Sequence, residues 1–383
     1  MSVTAAKGFT AAGIAAGIKE SGNPDLALVV NTGPRRFAAG VFTSNRVKAA
    51  PVLWSEQVLK SGELSAVVLN SGGANACTGP KGFQDTHATA EKVADVLGTG
   101  AGEVAVCSTG LIGVLLPMDK LLPGVETAAG QLSEHGGEKA AIAIKTTDTV
   151  HKTSVATGDG WTVGGMAKGA GMLAPGLATM LVVITTDADL ETEALDRALR
   201  AATRVTFDRV DSDGCMSTND TVLLLASGAS GVTPEYDAFA EAVRAVCDDL
   251  GQQLIRDAEG ASKDIKVEVV NAATEDEAVQ VGRTIARNNL LKCAIHGEDP
   301  NWGRVLSAIG TTDAAFEPDR LNVAINGVWV CKNGGVGEDR ELVDMRYREV
   351  HIVADLAAGD ATATIWTNDL TADYVHENSA YSS

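Results

Sequence analysis

V-G-G-M-A-K-G-A-G-M-L-A-P-G-L-A-T, Val163–Thr179, runs directly into Met180-Leu181-Val182-Val183-Ile184. The first part holds five glycines and a proline. Glycine permits positive φ and close backbone approach, and proline fixes its own φ while pushing its predecessor toward extended geometry. The second part is an uninterrupted apolar run of strand length, of the kind found in a buried sheet. The junction therefore predicts a punctuated loop feeding an interior strand, with Thr179 at its mouth.

Working outward, similar short β-rich runs bounded by Gly, Asn or Ser recur at Leu26–Asn31, Ala66–Asn70, Val104–Cys107 and Thr221–Ala226. Ile265–Val270, Leu321–Cys331, Val350–Leu356 and Thr362–Thr367 continue the series. Helical spacing alternates with them. Asp85–Leu97 carries Ala, Val and Leu on one face, and Leu190–Arg204 is amphipathic. Thr233-Pro234-Glu235 predicts the start of a long helix, with Thr233 as cap and proline in the first turn. Thr274 and Glu277 form a capping box ahead of a helix expected to reach about Leu290. No internal repeat or low-complexity linker interrupts the pattern. The fold class is α/β (α+β mixed), with mixed sheets packed against helices.

Composition bounds the function. The 383 residues are 45% hydrophobic but only 4% aromatic, so the core is built from aliphatic side chains, and the length suits two or three lobes. A net charge of −19 repels phosphate backbones and anionic lipids, which argues against nucleic-acid or membrane partners. Any substrate carboxylate must then be met by local donors. The six cysteines form no C-x-x-C pair and no zinc-like spacing with histidine, so we expect buried thiols in a reducing cytosol and no metal. Met1–Glu20 lacks the basic start and apolar core of a signal peptide, and no apolar run approaches the ~20 residues of a membrane span. A soluble, cytoplasmic protein is expected.

A threonine hydroxyl needs a base to become a nucleophile. None of the six histidines, His87, His135, His151, His296, His351 and His376, sits in a recognisable triad signature. If the Ala178–Thr179 bond were broken, the freed α-amine of Thr179, with a pKa of ~8, would lie beside its own hydroxyl. Attack of that hydroxyl on the preceding carbonyl, followed by ester hydrolysis, would expose it. An Ala-Thr step at a loop-to-strand junction is also an ordinary feature, and from these residues alone both readings stand.

Gly164–Leu181 (GGMAKGAGMLAPGLATML) resembles the processing site of the ornithine acetyltransferase, or ArgJ, family. The resemblance extends in order through Asn70–Gly79 (NSGGANACTG), Cys107–Gly113 (CSTGLIG), Lys145–Thr149 (KTTDT) and Asp213–Asp220 (DGCMSTND). It continues in Asp257–Lys263 (DAEGASK), His296–Arg304 (HGEDPNWGR) and Tyr374–Ser383 (YVHENSAYSS). The resemblance implies a self-processing, N-terminal-nucleophile-like fold of the ArgJ/DmpA type. It implies Thr179 as nucleophile, with cleavage leaving an α fragment, 1–178, and a β fragment, 179–383. Thr109 and Gly110 match the oxyanion hole. Thr146 or Thr147, Lys168, Thr179, Glu259, Asn378 and Ser383 match the substrate-binding positions, Lys168 suiting a carboxylate and Glu259 an amine. Asn301–Arg304 and Thr218–Asp220 are read as structural.

The implied reaction is ping-pong acetyl transfer from N2-acetylornithine to L-glutamate through acetyl-Thr179, in arginine biosynthesis. It implies no metal and no bound organic cofactor. Some family members also take acetyl-CoA as donor, and both possibilities stay open here. The family further implies an oligomer of αβ pairs, at least a dimer. Two rivals differ in observable ways. A self-processing amidohydrolase or aminopeptidase would pass the acyl group to water instead of glutamate. A non-catalytic α/β binding protein would purify as one uncut chain.

Overall fold

The structure, a computed structural model, describes residues 2–174 and 180–380. The chain divides into two compact units, Met1–Asp208 with Cys215–Asp257, and Arg209–Gly214 with Ala258–Ser382.

The first unit holds strands β1 (Phe9–Ile14), β2 (Leu26–Asn31), β3 (Ala38–Phe42), β4 (Ala66–Ser71), β5 (Val104–Thr109), β6 (Lys152–Thr157), β7 (Thr162–Lys168), β8 (Leu181–Thr186) and β9 (Thr221–Ala226). Its helices are α1 (Ala50–Val58), α2 (Gly79–Leu97), α3 (Met118–Ala129), α4 (Gly137–Ala143), α5 (Thr192–Val205) and α6 (Tyr236–Arg256). One sheet has the order β1-β2-β4-β5 and the other β3-β9-β8-β7-β6. Both are mixed: β4–β5 and β8–β9 are parallel and the remaining pairs antiparallel.

Alternation along the strands builds the layers. Ala27, Val29, Val67 and Leu69 of the first sheet share a core with Met166, Leu181, Val183 and Leu223 of the second. Their neighbours Leu26, Leu28, Val68 and Val106 point the other way, onto Val93 of α2 and Leu121 and Val125 of α3. On the outer face of the second sheet, Gly165 lets α6 come close: a Cβ there would lie 2.9 Å from Val246 and 3.0 Å from Leu250. Helix, sheet, sheet and helix therefore stack in four layers.

The second unit is one six-stranded sheet, made of β10 (Asp264–Ala272), β11 (Asn322–Ile325), β12 (Val328–Lys332), β13 (Gly335–Val336), β14 (Glu349–Asp355) and β15 (Ala361–Asn368). Helices α7 (Glu275–Ala286), α8 (Asn289–His296) and α9 (Trp302–Ile309) cover the face that presents Val267, Val269 and Ile365. α10 (Ala372–Ala380) follows β15.

Most expected elements are present, and five expectations are corrected. Val163–Thr179, read as a punctuated loop, begins as the buried strand β7, whose residues pair with β6 and β8 on either side. Leu321–Cys331 is a hairpin instead of one strand, because Asn326 and Gly327 both take positive φ, as a tight hairpin turn requires. The helix after Thr274 stops at Ala286; Asn288 caps a new one by accepting from the Leu291 N–H. Thr274 caps as expected, accepting from the Glu277 N–H at 3.2 Å, while the Glu277 carboxylate turns to the Ala315 N–H. Thr233 is no cap: α6 starts at Tyr236, with Glu235 in the cap position and no side-chain cap bond. Finally, only Cys107, Cys247 and Cys331 are buried; Cys77, Cys215 and Cys293 are exposed. Among the described residues no helix is long and apolar enough to cross a membrane.

Candidate active site

Ala178, Thr179 and Ser383 lie outside the described residues. What surrounds the loop-to-strand junction is described on both sides. β7 ends at Lys168, which pairs across the ladder with Leu181, the first residue of β8. The Met180 N–H donates to Asp220 Oδ1 at 2.9 Å. Asp220 is fully buried, and desolvation pushes its carboxyl well above the ordinary range despite that bond.

Lys168 is 2% exposed, and its Nζ donates to Thr109 Oγ1 at 3.3 Å. The ammonium thus meets Thr109, one of the two expected oxyanion-hole residues, directly.

Thr109 ends β5, and Gly110 follows with φ of +128°. A Cβ at Gly110 would come within 2.6 Å of the Gly72 carbonyl carbon and the Gly73 nitrogen, so only glycine fits. The Gly72 N–H donates to the Thr109 carbonyl at 2.9 Å, locking the N-S-G-G and S-T-G segments together. Behind this turn, Asn219 Nδ2 donates to the carbonyls of Ser108 at 2.8 Å and Ala74 at 2.6 Å. Ser108 Oγ donates to Asn70 Oδ1 at 2.6 Å.

Lys145–Thr149 passes the same end of β7. Thr146 and Thr147 are half-buried, and the Thr146 N–H donates to Asp148 Oδ2 at 3.0 Å. Lys19 packs nearby: its side chain would meet a Cβ at Gly72 at 3.2 Å, and its Nζ donates to the Lys145 carbonyl at 2.6 Å. Burial lowers its pKa, opposed by Asp25 and reinforced by Lys168.

In the second unit, Glu259 and Asn378 meet. Asn378 Nδ2, on α10, donates to Glu259 Oε2 at 2.9 Å. The contact is held by Gly260, whose φ of +61° brings it against α10, where a Cβ would be 2.2 Å from the Tyr374 nitrogen. Thr371 Oγ1 donates to the Gly260 carbonyl at 2.6 Å, and Asp369 accepts the N–H groups of Ser262 and Lys263. Glu259 also lines a cavity of about 210 Å³ with Asp213, Lys292, Asp369 and Tyr374. Desolvation lowers the Lys292 pKa to about 8, against the pull of Asp213, Asp211 and Asp369.

Sequence reasoning missed Asp148 as a site residue, although it lies inside a quoted motif; the signal is an acid placed beside a buried strand end. Thr218–Asp220, read as structural, does hold backbone beside the site, through Asn219 on the Ser108 and Ala74 carbonyls and Asp220 on the Met180 N–H. Asn301–Arg304 is structural as expected, Asn301 Oδ1 accepting the Arg304 N–H to open α9. Among the described residues no group of three or more His, Cys, Asp and Glu is placed to hold a metal ion.

The model of the ArgJ family matches residues 10–383. The chain belongs to the ArgJ family. Curated relatives extend the match over its whole length. The arginine biosynthesis bifunctional protein ArgJ of Streptomyces coelicolor is 97% identical, covering 100% of both chains. That of Streptomyces avermitilis is 89% identical with the same coverage. Among solved structures, an ornithine acetyltransferase complexed with ornithine from Mycobacterium tuberculosis is 63% identical. That likeness covers 47% of this chain and 96% of the other, with a TM-score of 0.45. As an ArgJ protein the chain is an enzyme of arginine biosynthesis, an acyltransferase.

Proposed function

We propose that the chain cuts itself between Ala178 and Thr179, and that Thr179 then carries acetyl from N2-acetylornithine to L-glutamate. One observation carries the reading. At the shared end of β7 and β8, the buried Lys168 ammonium, the Thr109–Gly110 turn and the anchored Met180 converge. Thr179 directly precedes Met180 in the sequence, and this supports the reading.

In processing, the Thr179 hydroxyl attacks the Ala178 carbonyl. The C–N bond breaks to give an ester and a free α-amine, and water hydrolyses the ester. The fragments are 1–178 and 179–383. In turnover, the α-amine takes the proton of the Thr179 hydroxyl, which attacks the acetyl carbonyl. Donors at Thr109 and Gly110 stabilise the oxyanion, a contribution worth ~10²–10³ in rate. Ornithine leaves with the proton, and acetyl-Thr179 remains. The amine of glutamate attacks it, and N-acetylglutamate departs. Lys168 takes the substrate carboxylate. Glu259, oriented by Asn378, takes an amino group, and Thr146 or Thr147 and Ser383 complete the binding set. No step calls on a metal or an organic cofactor. The word bifunctional in the relatives' names supports a second activity, read here as acetylation of glutamate from acetyl-CoA at the same threonine. The working form is a cytoplasmic oligomer of αβ pairs, at least a dimer.

Mass spectrometry of the purified wild type beside Thr179→Ala tests the reading. Two fragments are expected from the first and one uncut chain from the second, with Thr179→Ser processed more slowly. A fully active wild-type preparation containing only the intact chain would overturn it.

A further inference from the structure

Four charged side chains lie together beneath the end of β7. Lys152 is fully buried, and its Nζ bridges Asp148 Oδ1 at 2.7 Å and Asp257 Oδ2 at 2.5 Å. Asp257 also accepts the Thr149 N–H at 3.1 Å and the Thr149 hydroxyl. Asp148 uses both oxygens: Oδ1 takes Lys152 and the Gly169 N–H at 2.6 Å, and Oδ2 takes the Thr146 N–H at 3.0 Å. The Lys168 ammonium acts on the same carboxylate. Two lysines and two aspartates therefore balance in the interior.

A buried ion pair contributes little net stability compared with apolar side chains of the same volume, because desolvation offsets the attraction. What this one does supply is geometry. A single carboxylate grips the first residue of the segment that leads to Thr179, the Lys145–Thr149 loop, and the surroundings of Lys168. We propose that Asp148 is a positioning residue for both self-cleavage and acetyl transfer, acting through Gly169, Thr146 and Lys168. The claim rests on the reading that Thr179 is the nucleophile.

Asparagine exposes the role. Every hydrogen-bonding neighbour of Asp148 named above is a donor, so the amide NH2 of Asp148→Asn must face one of them. It releases either Thr146 or the Gly169–Lys152 pair, and it removes the countercharge of Lys168. Asp257→Asn is the control, since Asp257 touches Lys152 and Thr149 but neither Gly169 nor Thr146. The cleavage half-time of freshly purified chain is followed on a denaturing gel, and kcat and KM for N2-acetylornithine are measured on the processed enzyme.

Asp148→Asn is expected to slow cleavage ~10-fold or more and to raise KM ~5-fold or more with kcat changed less, since carboxylate binding is made in the ground state as well as the transition state. Asp257→Asn is expected to stay within ~3-fold of the wild type in both. Should Asp148→Asn fail to fold, Asp148→Asn/Lys152→Met keeps the cluster neutral, and the same comparison is made with it. Wild-type cleavage and KM in the Asp148 variant, or equal losses in the two aspartate variants, would refute the positioning role. A wild type that is active uncut would instead remove the nucleophile reading, so the two failures are told apart.

Discussion

Asn219 Nδ2 donates to the Ser108 carbonyl at 2.8 Å, while the next residue, Asp220, accepts the Met180 N–H at 2.9 Å. Two consecutive side chains at the head of β9 thus hold the strand end that leads into the Thr109–Gly110 turn on one side and the head of β8 on the other. β9 lies parallel to β8 and brings the two anchors to the same end of the sheet. Asn219→Ala would leave the buried carbonyls of Ser108 and Ala74 without their donor, at about 1–3 kcal/mol for each unsatisfied group. Denaturant titration of Thr179→Ala with and without this change is expected to show the loss, and the processed enzyme should show a fall in kcat.

Gly110→Ala is expected to abolish useful turnover while leaving a folded protein. The new Cβ would have to sit at φ +128° and 2.6 Å from two backbone atoms, so the turn must move. Displacing one oxyanion donor costs ~10²–10³ in kcat. Circular dichroism and kcat measured together check this; a folded variant with wild-type kcat would remove Gly110 from the mechanism.

The two fragments of a cut chain are expected to remain one particle under native conditions. β6, β7 and β3 belong to the proposed α fragment, and β8 and β9 to the β fragment, yet all five form one sheet in the order β3-β9-β8-β7-β6. Breaking the chain between β7 and β8 leaves the six paired positions from Val163↔Thr186 to Lys168↔Leu181 intact, together with the shared core. Size-exclusion chromatography should give one peak containing both fragments, separating only in denaturant.

Stability should fall in acid in a window assigned to Asp148. Burial alone would raise its carboxyl, but Lys168, Lys152 and the Gly169 N–H together bring it down to about 2. A carboxyl whose folded pKa lies below the unfolded value contributes stability that is present above the unfolded pKa of ~3.9 and is lost as pH falls toward the folded one, here about 2 kcal/mol. Melting temperatures of wild type and Asp148→Asn between pH 6 and pH 2 should converge as pH drops; parallel curves would contradict the assignment.

Much is legible in the chain itself. Strands β2, β4, β5, β8, β9, β10, β14 and β15 follow from apolar runs of the right length, and the aliphatic core from a composition poor in aromatics. Strands β1, β3, β6 and β7 do not, because Ala, Gly, Thr and Lys fill them and only pairing with their neighbours makes them strands. The processing motif was legible because glycine, proline and the threonine before an apolar run are all local signals. Failures cluster where two local readings compete. Asn326-Gly327 is a turn inside an apolar stretch, and Asn288 is a cap inside a helical pattern; in both, the punctuating residue outweighed the periodicity.

By itself the sequence determined the family, the threonine before the interior strand and the residues that match the site, since these depend on identity and order along the chain. Tertiary structure alone decided how those residues meet. Lys168 reaches Thr109 across 59 positions, Asn378 reaches Glu259 across 119, and Lys152 reaches Asp257 across 105. Whether a lysine is a solvated surface group or a buried partner of a carboxylate depends on which strands close over it, and pairing between distant strands leaves no local trace in the chain.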